Sequence, residues 1–288
     1  MSTRPHPTKD TGPTTSASPI LVIGATGKTG RRVAERLSAL GLDVRLGSRS
    51  SQPAFDWEDR STWAPALEGV KKAYISYYPD LAVPRAPQAV GALAAVAGEQ
   101  GVEHLVLLSG RGEHEAQAAE AELQRSGIAW TVVRCSWFCQ NFSESYMLDP
   151  ILAGEVALPA GDVPEPFVDA DDIADVAVAA LTEAGHEGRV FELTGPRMLT
   201  FAEAVAEIAD ATGRYIAFIP ITFDEYAVAL AEYEVPEDVI GLLRYLFIEV
   251  LDGRNAHVSN GVEEALGRPA RDFSDFVRAT AATGVWDV

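Results

Sequence analysis

Lysine is scarce in this 288-residue chain, present only at positions 9, 28, 71 and 72, and cysteine is scarcer still, at 135 and 139. Two cysteines cannot staple a protein of this size, and their i, i+4 spacing does not suggest a bridge, so a reducing, cytoplasmic setting is expected. No second cysteine pair or nearby histidine completes a metal site around them, and the five histidines, at 6, 104, 114, 186 and 257, make no metal-ligand spacing. No metal is expected, and both cysteines read as packing or pocket lining. Asp, His and Ser are present without a nucleophile-elbow motif, which leaves a hydrolase unsupported. No uncharged apolar run reaches about 18 residues, so no membrane span is predicted. The most apolar helical stretch, near 236–252, carries Arg244 and Glu249. The first 18 residues, MSTRPHPTKDTGPTTSAS, lack any apolar stretch that could serve as signal peptide or anchor and read as a disordered tail. Basic charge is also in deficit. The formal net charge of -19 repels phosphate backbones and anionic lipid, which argues against nucleic acid and membrane as partners.

What is abundant is apolar sequence, 47% of residues, enough for a substantial core. From residue 19 short apolar runs alternate with helical periodicity: PILVIG, a helix over 29–40 with Val33, Leu37 and Leu40 on one face, then DVRLGSRS. KAYISY (72–77), HLVLLSG (104–110), WTVVRCS (130–136) and VFELTG read as further strands. Continuous apolar strands separated by helices predict an α/β protein, a Rossmann-type doubly wound parallel sheet covered on both faces. Residues 19–195 are read as this dinucleotide-binding domain, with 146–162 contributing to a smaller, mainly helical substrate lobe over 196–288. The Asp169, Asp171, Asp172 cluster is read as a helix N-cap rather than a metal site. Thr200 with Glu203, and Thr222 with Glu225, have capping-box spacing; Pro236 suits a helix start and Gly253 its end. The stripe Val239, Ile240, Leu243, Leu246, Phe247, Val250 reads as core, with room for a second role as pocket wall or homodimer surface.

The stretch ILVIGATGKTGRRVAERL carries the chemistry. A triphosphate-binding loop needs Gly-x-x-x-x-Gly-Lys-Ser/Thr; Gly27, Lys28 and Thr29 supply its end, but Val22 stands where its first glycine belongs. What remains is Gly24-x-x-Gly27-x-x-Gly30 between a strand and a helix, the setting of a dinucleotide loop. The next strand ends LGSRS, and Arg49 is placed for a ribose 2′-phosphate, with Ser48 and Ser50 as partners, so NADP(H) is the expected cofactor. Lys28, Arg31 and Arg32 add positive charge around the loop.

These segments, with FDWEDRSTWAPALEGV, SGIAWTVVRCSWFCQNF, PFVDADDIADVA and FELTGPRMLTFAEA, resemble the NmrA-like atypical short-chain dehydrogenases, nearest to their ergot-alkaloid reductase (festuclavine dehydrogenase-like) group. The resemblance covers nearly the whole chain after residue 19. It implies that Gly24, Thr26, Gly27, Lys28, Thr29 and Gly30 serve the pyrophosphate, Arg49 the ribose phosphate, and Asp56 and Trp57 the adenine side. It sets Tyr77, Tyr78 and Pro79 along the cofactor at the end of a fourth strand and Ser109 at the end of a fifth. Trp137, Phe138 and Asn141 match the family's aromatic turn after a sixth, beside nicotinamide and substrate.

The chain also departs from that pattern. No tyrosine has a lysine four residues later, and the active lysine of many relatives would fall near Ala116 or Gln117. Reduction of an iminium ion needs no general acid, and quinones or enones need only solvent or one donor. The donor candidates are His114, with a solvated surface histidine as the alternative, and Tyr146, with packing as the alternative. Three functions are expected to compete: an NADPH-dependent reductase of an uncharged or cationic cyclic or aromatic small molecule; a non-catalytic NADP(H)-sensing regulator; and a non-redox cyclase or isomerase.

Overall fold

The computed structural model describes residues 18–288, so all but the last residue of the expected tail lies outside it. The alternation read from the sequence folds as β1 (Ile20–Ile23), α1 (Lys28–Ala39), β2 (Val44–Gly47), α2 (Trp63–Leu67), β3 (Lys72–Ile75), α3 (Ala86–Glu99), β4 (His104–Gly110), α4 (His114–Gln124) and β5 (Ala129–Cys135). Then follow α5 (Leu148–Ala153), β6 (Glu155–Leu158), α6 (Ala170–Thr182), β7 (Arg189–Leu193), α7 (Phe201–Thr212), β8 (Ala217–Pro220), α8 (Phe223–Glu232) and α9 (Glu237–Arg244). A π-helical stretch, Tyr245–Val250, extends α9, before α10 (Gly261–Leu266) and α11 (Phe273–Ala281). Among the described residues no helix is long and apolar enough to cross a membrane.

Six strands form one parallel sheet in the order β2-β1-β3-β4-β5-β7. Because successive side chains of a strand point to opposite faces, β1 feeds two cores at once. Leu21 and Ile23 join the layer that includes α2, α3 and α4, while Ile20 and Val22 join the layer of α1 and α6. Complete burial of β1 explains why its sequence is apolar without alternation. Each such side chain stabilises the fold by roughly 1.5–3 kcal/mol.

The strand count corrects one expectation. Tyr77, Ser109 and Trp137 follow or end the third, fourth and fifth strands, because residues between β2 and β3 form a 3-10 turn (Arg60–Thr62) and α2 instead of another strand. There Phe55, Trp57 and Trp63 pack ring to ring, with centroids 5.1–6.2 Å apart. The chain reverses direction across the sheet between β1 and β3, and ligands of such sheets bind at the carboxyl ends of the strands flanking that switch.

A third apolar cluster joins Cys139–Phe167 to α7, α8, α11 and Trp286. Its small sheet, β6 parallel to β8, was not anticipated from the sequence. The expected caps form: Asp169 accepts from the Asp171 amide, and Thr200/Glu203 and Thr222/Glu225 close reciprocal capping boxes. Asp171, Asp172 and Asp175 bind arginines of α1 and the 268–271 segment rather than a metal.

Candidate active site

The loop after β1 turns at Gly24, whose φ of +77° favours glycine. Three residues into α1, a Cβ on Gly30 would press into the Gly24 carbonyl, 2.7 Å from its carbon. Gly30 therefore lets the helix seat against the loop, and it does not itself face the cavity. Helix α1 begins at Gly27 with no side chain capping its free amides, unlike α6, α7 and α8. Those amides and the positive end of the helix dipole suit an anionic ligand.

They open into a cavity of about 880 Å³. Gly24, Thr26, Gly27, Lys28, Thr29, Arg49, Asp56, Trp57, Tyr77, Tyr78, Pro79 and Ser109 line it, as do Trp137, Phe138, Asn141 and Tyr146 at its other end. Only Gly30 and His114 of the expected site residues stand outside the lining. Trp57 donates to the Ser76 carbonyl at 3.3 Å and meets Tyr77 at 4.7 Å, forming an aromatic wall. Arg49 is exposed beside this wall and forms no ion pair with another described residue. Ser48 and Ser50 are bonded to each other at 3.2 Å, and Ser48 shares the lining.

The basic charge expected around the loop is largely matched by carboxylates. Arg31 and Arg32 both reach Glu144 at 2.6 Å, and Arg32 also meets Asp171 at 3.2 Å. Burial lowers the Lys28 pKa, a shift that Glu144 opposes. Arg49, by contrast, has no carboxylate partner among the described residues.

At the far end Trp137 is held between Phe201 and Phe247, 5.4 and 5.1 Å away. Val239, Leu242, Leu243, Leu246 and Val250 complete an apolar wall, so the α9 stripe serves as pocket lining as well as core. Tyr146 is 39% exposed overall, while desolvation of its phenol at the cavity end holds it above its ordinary pKa, with Tyr226 adding to the effect. His114 is exposed at the start of α4, its amide donating to the Tyr245 hydroxyl at 2.9 Å. Cys135 and Cys139 are free and buried, and burial pushes both thiols up. No group of metal-ligating side chains occurs among the described residues.

Sequence reasoning missed polar residues of this end, among them Asp80, Arg111, Glu113, Ser136, Ser145 and Asn255. Behind Ser136, whose hydroxyl donates to it at 3.0 Å, lies fully buried Glu165, its second oxygen unpartnered. Burial pushes Glu165 up to about 7, against Ser136 and Arg111. A free glutamate releases its proton near 4.5, whereas this one holds it to about 7, so the native state binds more protons in that window. Stability therefore falls as pH rises from 4.5 to about 7. Glu165→Gln, which cannot ionise, is expected to match wild type at the acid end and exceed it above neutrality by on the order of 3 kcal/mol. Denaturant titrations across pH check this, and a pH-independent difference would contradict it.

A family model described as NAD(P)H-binding matches residues 24–184. Full-length relatives include an NAD(P)H azoreductase from Xenophilus azovorans, 32% identical, covering 91% of this chain and 98% of that protein. A (4-alkanoyl-5-oxo-2,5-dihydrofuran-3-yl)methyl phosphate reductase from Streptomyces griseus is 35% identical over 89% of this chain and 96% of that protein. An agroclavine dehydrogenase from Claviceps fusiformis is 30% identical over 90% and 96%. The last bears out the likeness to ergot-alkaloid reductases. With its dinucleotide loop, its uncapped helix start and these full-length relatives, the chain belongs to the NAD(P)H-binding family and is an oxidoreductase.

Proposed function

We propose that the protein is an NADPH-dependent reductase of a small cyclic or aromatic acceptor, an enone, quinone or iminium ion, working in the cytoplasm. One observation carries the reading: a single cavity runs from the open start of α1 past Ser109 to the apolar wall of α9. Bound along it, the cofactor supplies a hydride. The α1 amides would hold its pyrophosphate, Arg49 its 2′-phosphate, and Trp57 and Tyr77 its adenine side. Trp137, Phe138 and the α9 side chains would exclude water and stack a planar acceptor. The names of the relatives fit such acceptors, an azo compound in one and an unsaturated ring carbonyl in another.

The test uses NADPH deuterated at the transferable position with a panel of cyclic enones, quinones and iminium ions, read by mass spectrometry. Deuterium in a product supports the reductase; tight binding without transfer to any acceptor favours a sensor. Arg49→Ala is expected to weaken NADPH binding about 10- to 100-fold, the loss of one charge-assisted contact, while leaving NADH affinity unchanged. Calorimetry with both cofactors checks it, and equal losses would remove Arg49 from the phosphate site.

A further inference from the structure

Most hydroxyls and charges facing the substrate end are already committed. The Ser109 hydroxyl donates to Glu120 at 2.5 Å, and Ser136 donates to Glu165. His114 lies outside the cavity, and the raised Tyr146 phenol is a weak acid. One carboxyl differs. Glu113 lines the cavity, is 9% exposed, and its Oε2 has no hydrogen-bond partner. It stands at the N-cap of α4 without capping the helix amides, so the helix does not satisfy its charge. Its carboxyl instead fills the space where a side chain on Gly110 would be, at the end of β4.

The loop that carries it is clamped. Arg111 donates to the Asn255 carbonyl at 3.3 Å and lies 2.8 Å from His257, while the Asn255 amide donates back to the Arg111 carbonyl at 3.1 Å. The groups around Glu113 are mostly acidic or neutral: Asp80 after β3, Glu115 and Glu120 on α4, Cys135 on β5 and Tyr245 on the π-helical stretch. Arg111 is the nearby cation, and Lys28 faces Asp80. Burial first, then Asp80, Glu115 and Glu120, hold Glu113 well above the usual carboxylate range. A carboxylic acid in such surroundings stays neutral and can donate its proton.

We propose that Glu113 is the proton donor of this cavity, supplying what the missing Tyr/Lys pair supplies in ordinary short-chain dehydrogenases. The inference rests on the reductase reading above. With an enone, hydride forms a C–H bond at the β-carbon and the C=C electron pair moves toward the carbonyl oxygen. The Glu113 O–H breaks, its proton bonds to that oxygen, and the carboxylate recovers a proton from water. Substrate gains two electrons and NADPH loses two. An iminium acceptor needs hydride alone and makes no demand on Glu113.

The experiment compares wild type, Glu113→Gln and Glu113→Asp with cyclohexenone, menadione and an N-alkylated cyclic iminium ion. Glu113→Gln should cut kcat on the enone and quinone by about 10²- to 10⁴-fold with KM and NADPH affinity little changed, and leave iminium reduction intact. Glu113→Asp should recover part of the loss. In wild type the enone rate should fall as pH rises through the Glu113 pKa; Asp80→Asn, by removing a repulsive charge, should move that fall to lower pH. Infrared difference spectroscopy of the cofactor-free protein gives an independent readout: near neutral pH the spectrum of wild type minus Glu113→Gln should show a protonated-carboxyl stretch, to which Glu165, present in both proteins, does not contribute. Unchanged enone turnover in Glu113→Gln, or a difference spectrum with no protonated-carboxyl band, would overturn the proposal while the reductase reading stands. Should wild type reduce no acceptor, that reading falls alone, and the infrared band still decides whether Glu113 stores a proton.

Discussion

Gly30→Val is expected to abolish NADPH binding, lowering affinity at least 100-fold. Even a methyl group there would press into the Gly24 carbonyl, and the atoms it would meet are all backbone. Relief requires α1 to lift from the loop or the Gly24 turn to open, and either movement carries the Gly27–Thr29 amides away from the pyrophosphate. Overpacking of this kind costs about 1–3 kcal/mol, and a 100-fold loss of affinity corresponds to about 2.8 kcal/mol, within that range. Calorimetry with NADPH, alongside a thermal melt to show that the variant folds, tests it. A folded Gly30→Val protein with wild-type affinity would mean that the cofactor does not use the start of α1.

Trp286→Ala should give the largest loss of stability, about 3–5 kcal/mol, or roughly 10 °C in Tm. The indole is fully buried, meets Phe276 edge to face at 6.0 Å, and donates to the Phe142 carbonyl at 2.9 Å. Truncation leaves a cavity and an unpaired carbonyl together. Because Phe142 ends the 3-10 turn Cys139–Phe142 that brings Asn141 to the cavity, substrate KM should rise while NADPH affinity holds. Thermal unfolding and steady-state kinetics separate the two effects; a Tm within about 2 °C of wild type would show that the contact stabilises little.

The cofactor half of the cavity was legible because its signals are local. A strand, three glycines and a helix lie within 20 residues, and Arg49 follows two residues after the end of the next strand. Capping boxes were legible for the same reason, being fixed by a three-residue spacing. The rest depends on partners far along the chain. Glu144 and Asp171 neutralise arginines of α1 from more than a hundred residues away, which no count of local charge reveals. β6 and β8 are short and pair across some 60 residues, and β8 lies half at the surface, so neither announces itself by an apolar run. The sequence offered His114 and Tyr146 as donors and left Glu113 unremarked, because a loop has no periodicity to say which of two adjacent side chains turns inward. Only the Arg111–Asn255 clamp decides that, and it joins segments 144 residues apart.

The two ends of the cavity also differ in when they can exist. The loop after β1, Arg49 and the Trp57–Tyr77 wall are all complete once the first third of the chain has left the ribosome, and their contacts span short loops. The α9 wall and the Asn255 clamp are translated last. A nascent chain would thus expose the nucleotide-recognition surface well before its reactive end closes, and cellular nucleotide could steady the growing fold while no acceptor could yet be reduced.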